Sequence, residues 1–420
     1  MRGSSMTDIG DYNEKLVLQT IRATTGGISQ SEVGRRANLS RQSVSLITRR
    51  LLAEGLIETA GRRNTGPGKP HTVLRVVPDA CLAVGVHLDP AHIMVVVCDL
   101  YARPLVKSTM EAPTRSSDRD IARIAARIGE LSDSIGAAAP GAETGPEDGA
   151  ARPVRRRLLG LGIAAPGSLD STAGTVRRPP WIPWRDVPVA AQLGEACGLP
   201  AILDKDTNAA LTGEIWSRNL PFEETVLYIY VSHGVGSAVS AYGRVHRGSS
   251  TQAGEIGHLP TGRADLRCEC GAFGCLNMYT DAHLVVDQAR AAGVEVPVGA
   301  GIKEEIRAVS RAAESGNAGA QQSIARHGAA LGPALRTLSG IHDPERIIIG
   351  GPAWPLLARY GMPPIQDALG DWQAGPDAVL ESSHLGDDVG AVGAASLFLE
   401  QELAPANGAA RLFLRPTPAV

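Results

Sequence analysis

Aromatic side chains are scarce: Phe, Trp and Tyr together make up 4% of 420 residues. Packed interiors must therefore come from Ala, Val, Leu and Ile, and a hydrophobic content of 43% suffices for them. No apolar run approaches the ~18 residues a membrane span needs. No apolar stretch near the start has the form of a signal peptide. The chain holds six cysteines, spaced for a metal and not for a disulfide framework. These absences point to the cytoplasm. An excess of one charge is lacking too: the net charge of −3 excludes a strongly basic chain. The balance is uneven, however. Residues 1–76 carry 12 basic and 6 acidic side chains, against 29 and 38 in the remainder. A basic head on an acidic body predicts that only the head meets a polyanion. At this length two or three domains are expected.

Half of the cysteines lie within eight positions. The chain reads Gly254-Glu255-Ile256-Gly257-His258, then nine residues, then Cys268-Glu269-Cys270-Gly271-Ala272-Phe273-Gly274-Cys275. One imidazole and three thiols, His258, Cys268, Cys270 and Cys275, are the donor set of a closed tetrahedral zinc site with a structural role. Glycines at 271 and 274 allow the tight turns that bring the thiols together. Glu255 places a carboxylate beside this loop. Cys81, Cys98 and Cys197 lie in apolar surroundings and read as packing residues.

The head has a helical grammar. Residues 12–24 carry Leu16, Val17 and Ile21 on one stripe, and Gly26-Gly27 ends that helix. Ser29-Gln30-Ser31-Glu32 has the form of a capping box opening a short second helix. After a turn at Asn38-Leu39, Ser40 caps a third helix over 41–54, with Val44, Ile47, Leu51 and Leu52 inward. Two strands follow, Leu56–Thr59 and Thr72–Val76, around a basic wing at 61–70. This order predicts a winged helix-turn-helix binding double-stranded DNA. Its third helix would face base edges with Ser40, Arg41, Gln42, Ser43, Ser45 and Arg49. Its wing would contact phosphates or the minor groove with Arg62, Arg63 and Lys69.

The body alternates short apolar strands with glycine turns and helices. Strands are expected at 83–88, 93–99, 158–163, 201–203, 226–231 and 346–349, and helices at 119–136 and 318–338. Residues 140–157, rich in Gly, Ala, Pro and charge, read as a mobile loop. The pattern describes a two-lobed α/β protein with its site in the cleft.

Several blocks of this body resemble one family closely. They are Ala165-Pro166-Gly167, Asp206-Thr207-Asn208-Ala209-Ala210, Gly234-Val235-Gly236-Ser237, the His258 and cysteine block, Ile348-Ile349-Gly350-Gly351 and Gly393-Ala394-Ala395. The body is similar to the ROK family, whose name joins repressors, open reading frames and sugar kinases. A winged head before this body is the layout of the family's repressors. The resemblance implies an actin-like, ribonuclease-H-like sugar-kinase fold and a homodimer or tetramer. The implied organisation is a winged domain at 1–77, a small α/β lobe at 78–203 plus 388–402, a large α/β lobe with the zinc site at 204–387, and a flexible tail at 403–420.

The family's kinases read Asp-x-Gly-Gly-Thr in their first hairpin, where this chain reads His87-Leu88-Asp89-Pro90-Ala91. Both glycines are gone, and Pro90 removes a backbone N–H that could donate to a phosphate. Without a phosphate cradle no phosphoryl group is positioned, so neither ATP binding nor kinase activity is expected. The hydroxyl-binding set implied by the resemblance falls on Lys205, Asp206, Glu255, His258 and Asn277. Two positions depart, Lys205 from the usual Asn and Asn277 from the usual Glu, which shifts the pocket by two positive charges. Two readings follow. Either Lys205 is the counter-charge of an anionic sugar phosphate or sugar acid, or it pairs with Asp206 or Glu255 and fills an empty pocket. The expected function is a repressor of carbohydrate-metabolism genes, controlled by a sugar or sugar phosphate. The alternatives are control by a protein partner and residual kinase activity.

Overall fold

The computed structural model describes residues 6–63, 71–138, 156–179, 181–372, 375 and 377–405. The tip of the expected wing with Lys69, most of the expected loop at 140–157 and the tail beyond 405 lie outside the described residues.

The head runs α1 (Met6–Arg22), β1 (Ile28–Ser29), α2 (Gln30–Arg36), α3 (Arg41–Ala53), β2 (Ile57–Arg63) and β3 (His71–Val76). The three strands form one antiparallel sheet in the order β1-β3-β2. Ser29 caps α2 by accepting from the Glu32 amide at 3.3 Å. The Glu32 carboxylate does not complete the capping box; it pairs with Arg35 and Arg36. Ser40 caps α3, its Oγ accepting from the Ser43 amide at 3.1 Å. Val17, Ile21, Val33, Val44, Ile47, Leu51 and Leu74 make the buried core, as the helical spacing requires. Leu52 is only partly buried, and β2 runs four residues beyond the expected strand.

The first lobe is built on β4 (Cys81–Leu88), β5 (His92–Cys98), β6 (Pro104–Glu111), β7 (Ala137–Ala138), β8 (Arg156–Ala165) and β11 (Ala201–Lys205), in the order β11-β8-β4-β5-β6 with β7 against β8. β4, β5 and β6 form an antiparallel meander, whereas β8 and β11 run parallel to β4. All eight residues of β4 are buried, because helices cover both faces. α4 (Ser117–Ser134) and α5 (Val189–Cys197) cover one face. A small hairpin, β9 (Ser168–Asp170) and β10 (Thr175–Arg178), projects from the cleft end of β8.

The second lobe holds β12 (Val226–Val231), β13 (Val235–Ala241), β14 (Arg244–Val245), β15 (Arg346–Gly350) and β16 (Val379–Ser382), in the order β14-β13-β12-β15-β16. Its helices are α7 (Asn277–Thr280), α8 (Ala282–Ala291), α9 (Ile302–Glu314), α10 (Ala318–His342) and α11 (Trp354–Gly370). The block Val235-Gly236-Ser237 belongs to a strand and not to a turn; the reversal is at Ser232–Gly234, where the Ser232 amide bonds the Gly234 carbonyl.

Two helices lie between the lobes, α6 (Asp206–Arg218) and α12 (Val389–Leu403). Their contact depends on small residues: a Cβ at Gly393 would stand 2.3 Å from the Ala209 carbonyl oxygen. A Cβ at Gly162 would stand 1.7 Å from the Ala394 carbonyl, so α12 also rests directly on β8. The Gly393-Ala394-Ala395 block therefore specifies a close approach. The core is continuous from head to first lobe, with Val17 and Ile21 joining Cys81, Trp216, Phe398 and Leu399. Among the described residues no helix is long and apolar enough to cross a membrane.

Candidate functional site

The four ligands expected from sequence come together. Backbone bonds from the Leu276 amide to the Leu259 carbonyl and from the Asn277 amide to the Gly257 carbonyl fasten the histidine loop to the cysteine loop. Gly274 has φ +73°, and a Cβ there would meet the Arg263 carbonyl oxygen at 1.8 Å, so only glycine fits. The donor atoms of His258, Cys268, Cys270 and Cys275 all lie within 4.8 Å of one another. His258 Nδ1 stands 3.5 Å from Cys268 Sγ, and the Cys270 and Cys275 sulfurs are 3.5 Å apart. A tetrahedral Zn²⁺, with Zn–S about 2.3 Å and Zn–N about 2.0 Å, requires separations of roughly 3.5–3.8 Å. The site fits that ion, and four protein ligands leave no open position for catalysis.

Lys205 ends β11 and Asp206 opens α6. Both are buried, at 2% and 8% exposure. Lys205 Nζ lies 2.6 Å from Glu255 Oε1, a carboxylate of the second lobe whose side chain is 44% exposed. Asp206 Oδ1 accepts from the Thr207 amide at 2.8 Å. Burial pushes the Asp206 carboxyl up to about 7, against the opposing pull of Lys205 and the Thr207 N–H. Asn277 turns to the scaffold: its Oδ1 accepts from the Val235 amide at 3.4 Å, and its amide group packs on Gly234 and Gly257. His258 presents Nδ1 to the thiols and keeps Nε2 for another partner.

Sequence reasoning missed a further contact across the cleft. Trp181, 67% exposed at φ +58°, stacks on His233 of the second lobe with ring centroids 5.7 Å apart. The signal was present: two of the chain's five tryptophans lie in Trp181-Ile182-Pro183-Trp184.

His87 lies near the end of β4, in the first hairpin. It is buried, its Nε2 lies 3.5 Å from the Tyr230 hydroxyl, and burial pushes the imidazole down to about 4. At neutral pH it is an uncharged ring. Asp89 Oδ1 is engaged by the Ala91 amide at 2.8 Å and by His92 at 3.5 Å.

On α3, Arg41, Gln42 and Arg49 are exposed and Ser43 and Ser45 half-buried; Ser40 is exposed beside them. Arg50 points elsewhere, pairing with Glu14 of α1 at 2.9 Å. Leu46, absent from the expected reading set, is 57% exposed among these residues. Arg62 and Arg63 fall on β2, in register with Thr72 and His71 of β3.

The far end of α6 meets the head. Arg22 Nη1 donates to the Trp216 carbonyl at 2.9 Å and Nη2 to Asn219 Oδ1 at 3.3 Å. The guanidinium lies 3.9 Å from the centroid of the Trp216 ring.

Comparison with known proteins agrees with this geometry. The ROK family profile matches residues 149–401, and a winged helix-turn-helix DNA-binding profile matches residues 11–58. The chain is 24% identical over 358 residues to the xylose repressor of Caldicellulosiruptor bescii, covering 83% of this chain and 84% of that protein. The crystal structure of a ROK family transcriptional regulator, a homologue of the E. coli MLC protein, superposes with a TM-score of 0.73 at 22% identity, over 94% of this chain and 98% of that one. A ROK family glucokinase from Streptomyces griseus, solved with glucose and AMPPNP, gives a TM-score of 0.61 at 25% identity, over 75% of this chain and 98% of that one. Since the family profile spans more than half of the sequence, the chain belongs to the ROK family and carries a winged helix-turn-helix at its N-terminus.

Proposed function

We propose that this protein is a transcriptional regulator that represses carbohydrate-metabolism genes, and that it has no kinase activity. One observation carries the reading: a groove-sized helix with a polar, basic outer face is joined by α6 to a sugar-kinase cleft whose phosphate-binding hairpin has become His87-Leu88-Asp89-Pro90-Ala91. The names of relatives, a xylose repressor and a regulator homologous to MLC, support it. DNA as partner supports a cytoplasmic setting. A Zn²⁺ held by His258, Cys268, Cys270 and Cys275 supplies folding energy to the cleft wall. In a homodimer or tetramer the heads address two half-sites, so a small change in their orientation breaks simultaneous docking.

The route for such a change is α6. Its first residue sits in the cleft with Lys205 and Glu255; its last turn carries Trp216 and leads to Asn219, both held by Arg22 of the head. Movement of the cleft end of this rod moves the base of α1.

The Lys205–Glu255 pair bears on the effector. A lysine balanced by a glutamate leaves no surplus positive charge for a sugar phosphate. This favours the reading in which Lys205 fills the pocket and a protein partner, in place of a sugar, controls the regulator. Calorimetry with neutral hexoses and hexose phosphates separates the cases: heat from either class at the cleft overturns the filled-pocket reading, and heat from neutral hexose alone overturns the anionic one. Duplex selection from a random pool, followed by footprinting, tests the regulator reading. A coupled assay for nucleotide consumption with sugars tests the absence of kinase activity. A chain that enriches no duplex, or that phosphorylates a sugar, overturns the proposal.

A further inference from the structure

Leu46 occupies the side of α3 that has no structural task. The buried stripe of the helix is Val44, Ile47, Thr48 and Leu51. At about 100° per residue, Leu46 points away from that stripe, four residues after Gln42 and three before Arg49. It is 57% exposed, and among the head residues whose side chains are described it is the one large exposed hydrophobic. An isolated exposed leucine is ordinary by itself. Its neighbours make this one informative: Gln42, Ser45 and Arg49 surround it with hydrogen-bonding groups, and the core it could have joined is on the opposite face. An apolar group in the middle of a polar face gains free energy only when other apolar surface covers it.

The reading helix faces the major groove in the DNA-binding function proposed above, and this inference rests on that reading. The base-pair edges there present donors, acceptors and one apolar group, the C5-methyl of thymine. We propose that Leu46 is a specificity-determining residue that packs on a thymine methyl in each half-site. Gln42, one turn earlier, has the donor and acceptor pair that suits adenine. Together they select an A·T-containing step, Gln42 by hydrogen bonds and Leu46 by exclusion of water from the methyl.

The test uses the full-length protein and a duplex enriched from a random pool. Each thymine of a half-site is replaced in turn by deoxyuridine, which removes only the methyl group. One position should weaken binding of the unaltered protein by roughly three- to sixfold, the effect of one buried methyl contact. Leu46→Ala should bind the thymine duplex more weakly by a similar factor and be indifferent to deoxyuridine at that position. Leu46→Met, which restores an apolar side chain, should recover the methyl sensitivity. An equal loss for Leu46→Ala on thymine and deoxyuridine duplexes, or no position with a Leu46-dependent methyl effect, overturns the inference alone. Failure to enrich any duplex overturns the DNA-binding reading and takes this inference with it.

Discussion

Asp206 is a buried cleft residue whose carboxyl is shifted toward neutral pH. Its carboxyl, ordinarily near 3.8, is held at about 7 by burial, with Glu255 and Asp89 adding to the rise and Lys205 and the Thr207 N–H opposing it. The folded state therefore keeps a proton that the unfolded chain releases. Stability from this group is full below the unfolded pKa and falls as pH rises from about 4 to about 7. Asp206→Asn removes that dependence. Relative to the variant, the natural protein should lose stability between pH 5 and pH 7, by at most about 1.4 kcal/mol per pH unit. Thermal unfolding of both across pH 5–8 measures it, and a constant difference contradicts the burial described. Lys205 is the second test at this scale. Lys205→Asn removes the partner of Glu255 and opens the space Lys205 fills; under the filled-pocket reading it should gain binding of a neutral hexose, read by calorimetry. Lys205 and Asp206 were both legible as cleft residues because they sit in a short motif. The choice of Glu255 over Asp206 as the partner of Lys205 was not, since it depends on where the second lobe brings residue 255.

At the scale of elements, the cysteine loop and α3 each stand on local chemistry. Gly274→Ala places a side chain in the left-handed region, which costs roughly 1–2 kcal/mol, and drives its Cβ into the Arg263 carbonyl. The variant should bind less zinc per chain and melt earlier, and chelation of the natural protein should lower its melting temperature in the same direction. Metal analysis with thermal unfolding reads both; an unchanged melting temperature after complete chelation removes the structural role assigned to the ion. On α3, Arg41→Ala and Gln42→Ala should cost base-specific affinity of about 1–3 kcal/mol each. Arg62→Ala should instead weaken all duplexes evenly and flatten the salt dependence. A footprint unaltered by the first two variants contradicts the placement of the reading helix. The caps at Ser29 and Ser40 were legible because a cap is decided within four residues. The extension of β2 was not, because a strand's length is set by its partner β3. For the same reason the glycines at 234–237 suggested a turn where half of them belong to β13.

For the whole molecule, the decisive contact is that of Arg22, at the end of α1, with the last turn of α6. Its guanidinium is buried against Trp216 and bonds the exposed Asn219, so Arg22→Ala should loosen the head from the body without touching the reading face. If α6 transmits the state of the cleft, the change in operator affinity caused by Lys205→Asn should shrink in an Arg22→Ala background. The expected coupling is about 1–3 kcal/mol, or 5–150-fold. A double-mutant cycle on operator affinity measures it, and purely additive effects rule out this route.

What sequence alone determined were the features written in adjacent residues: helix caps, the apolar periodicity of α3, the His258 and cysteine spacing, and the absence of glycine from the hairpin at His87–Ala91. Each rests on interactions within a turn or a motif, so order along the chain was sufficient. The tertiary structure decided the rest. It paired Lys205 with Glu255, stacked Trp181 on His233, turned Asn277 toward the backbone, left Leu46 in solvent, and bolted the head to α6 through Arg22. These contacts join residues tens to hundreds of positions apart, and their geometry is set by which faces of sheets and helices pack, a quantity that no local pattern carries.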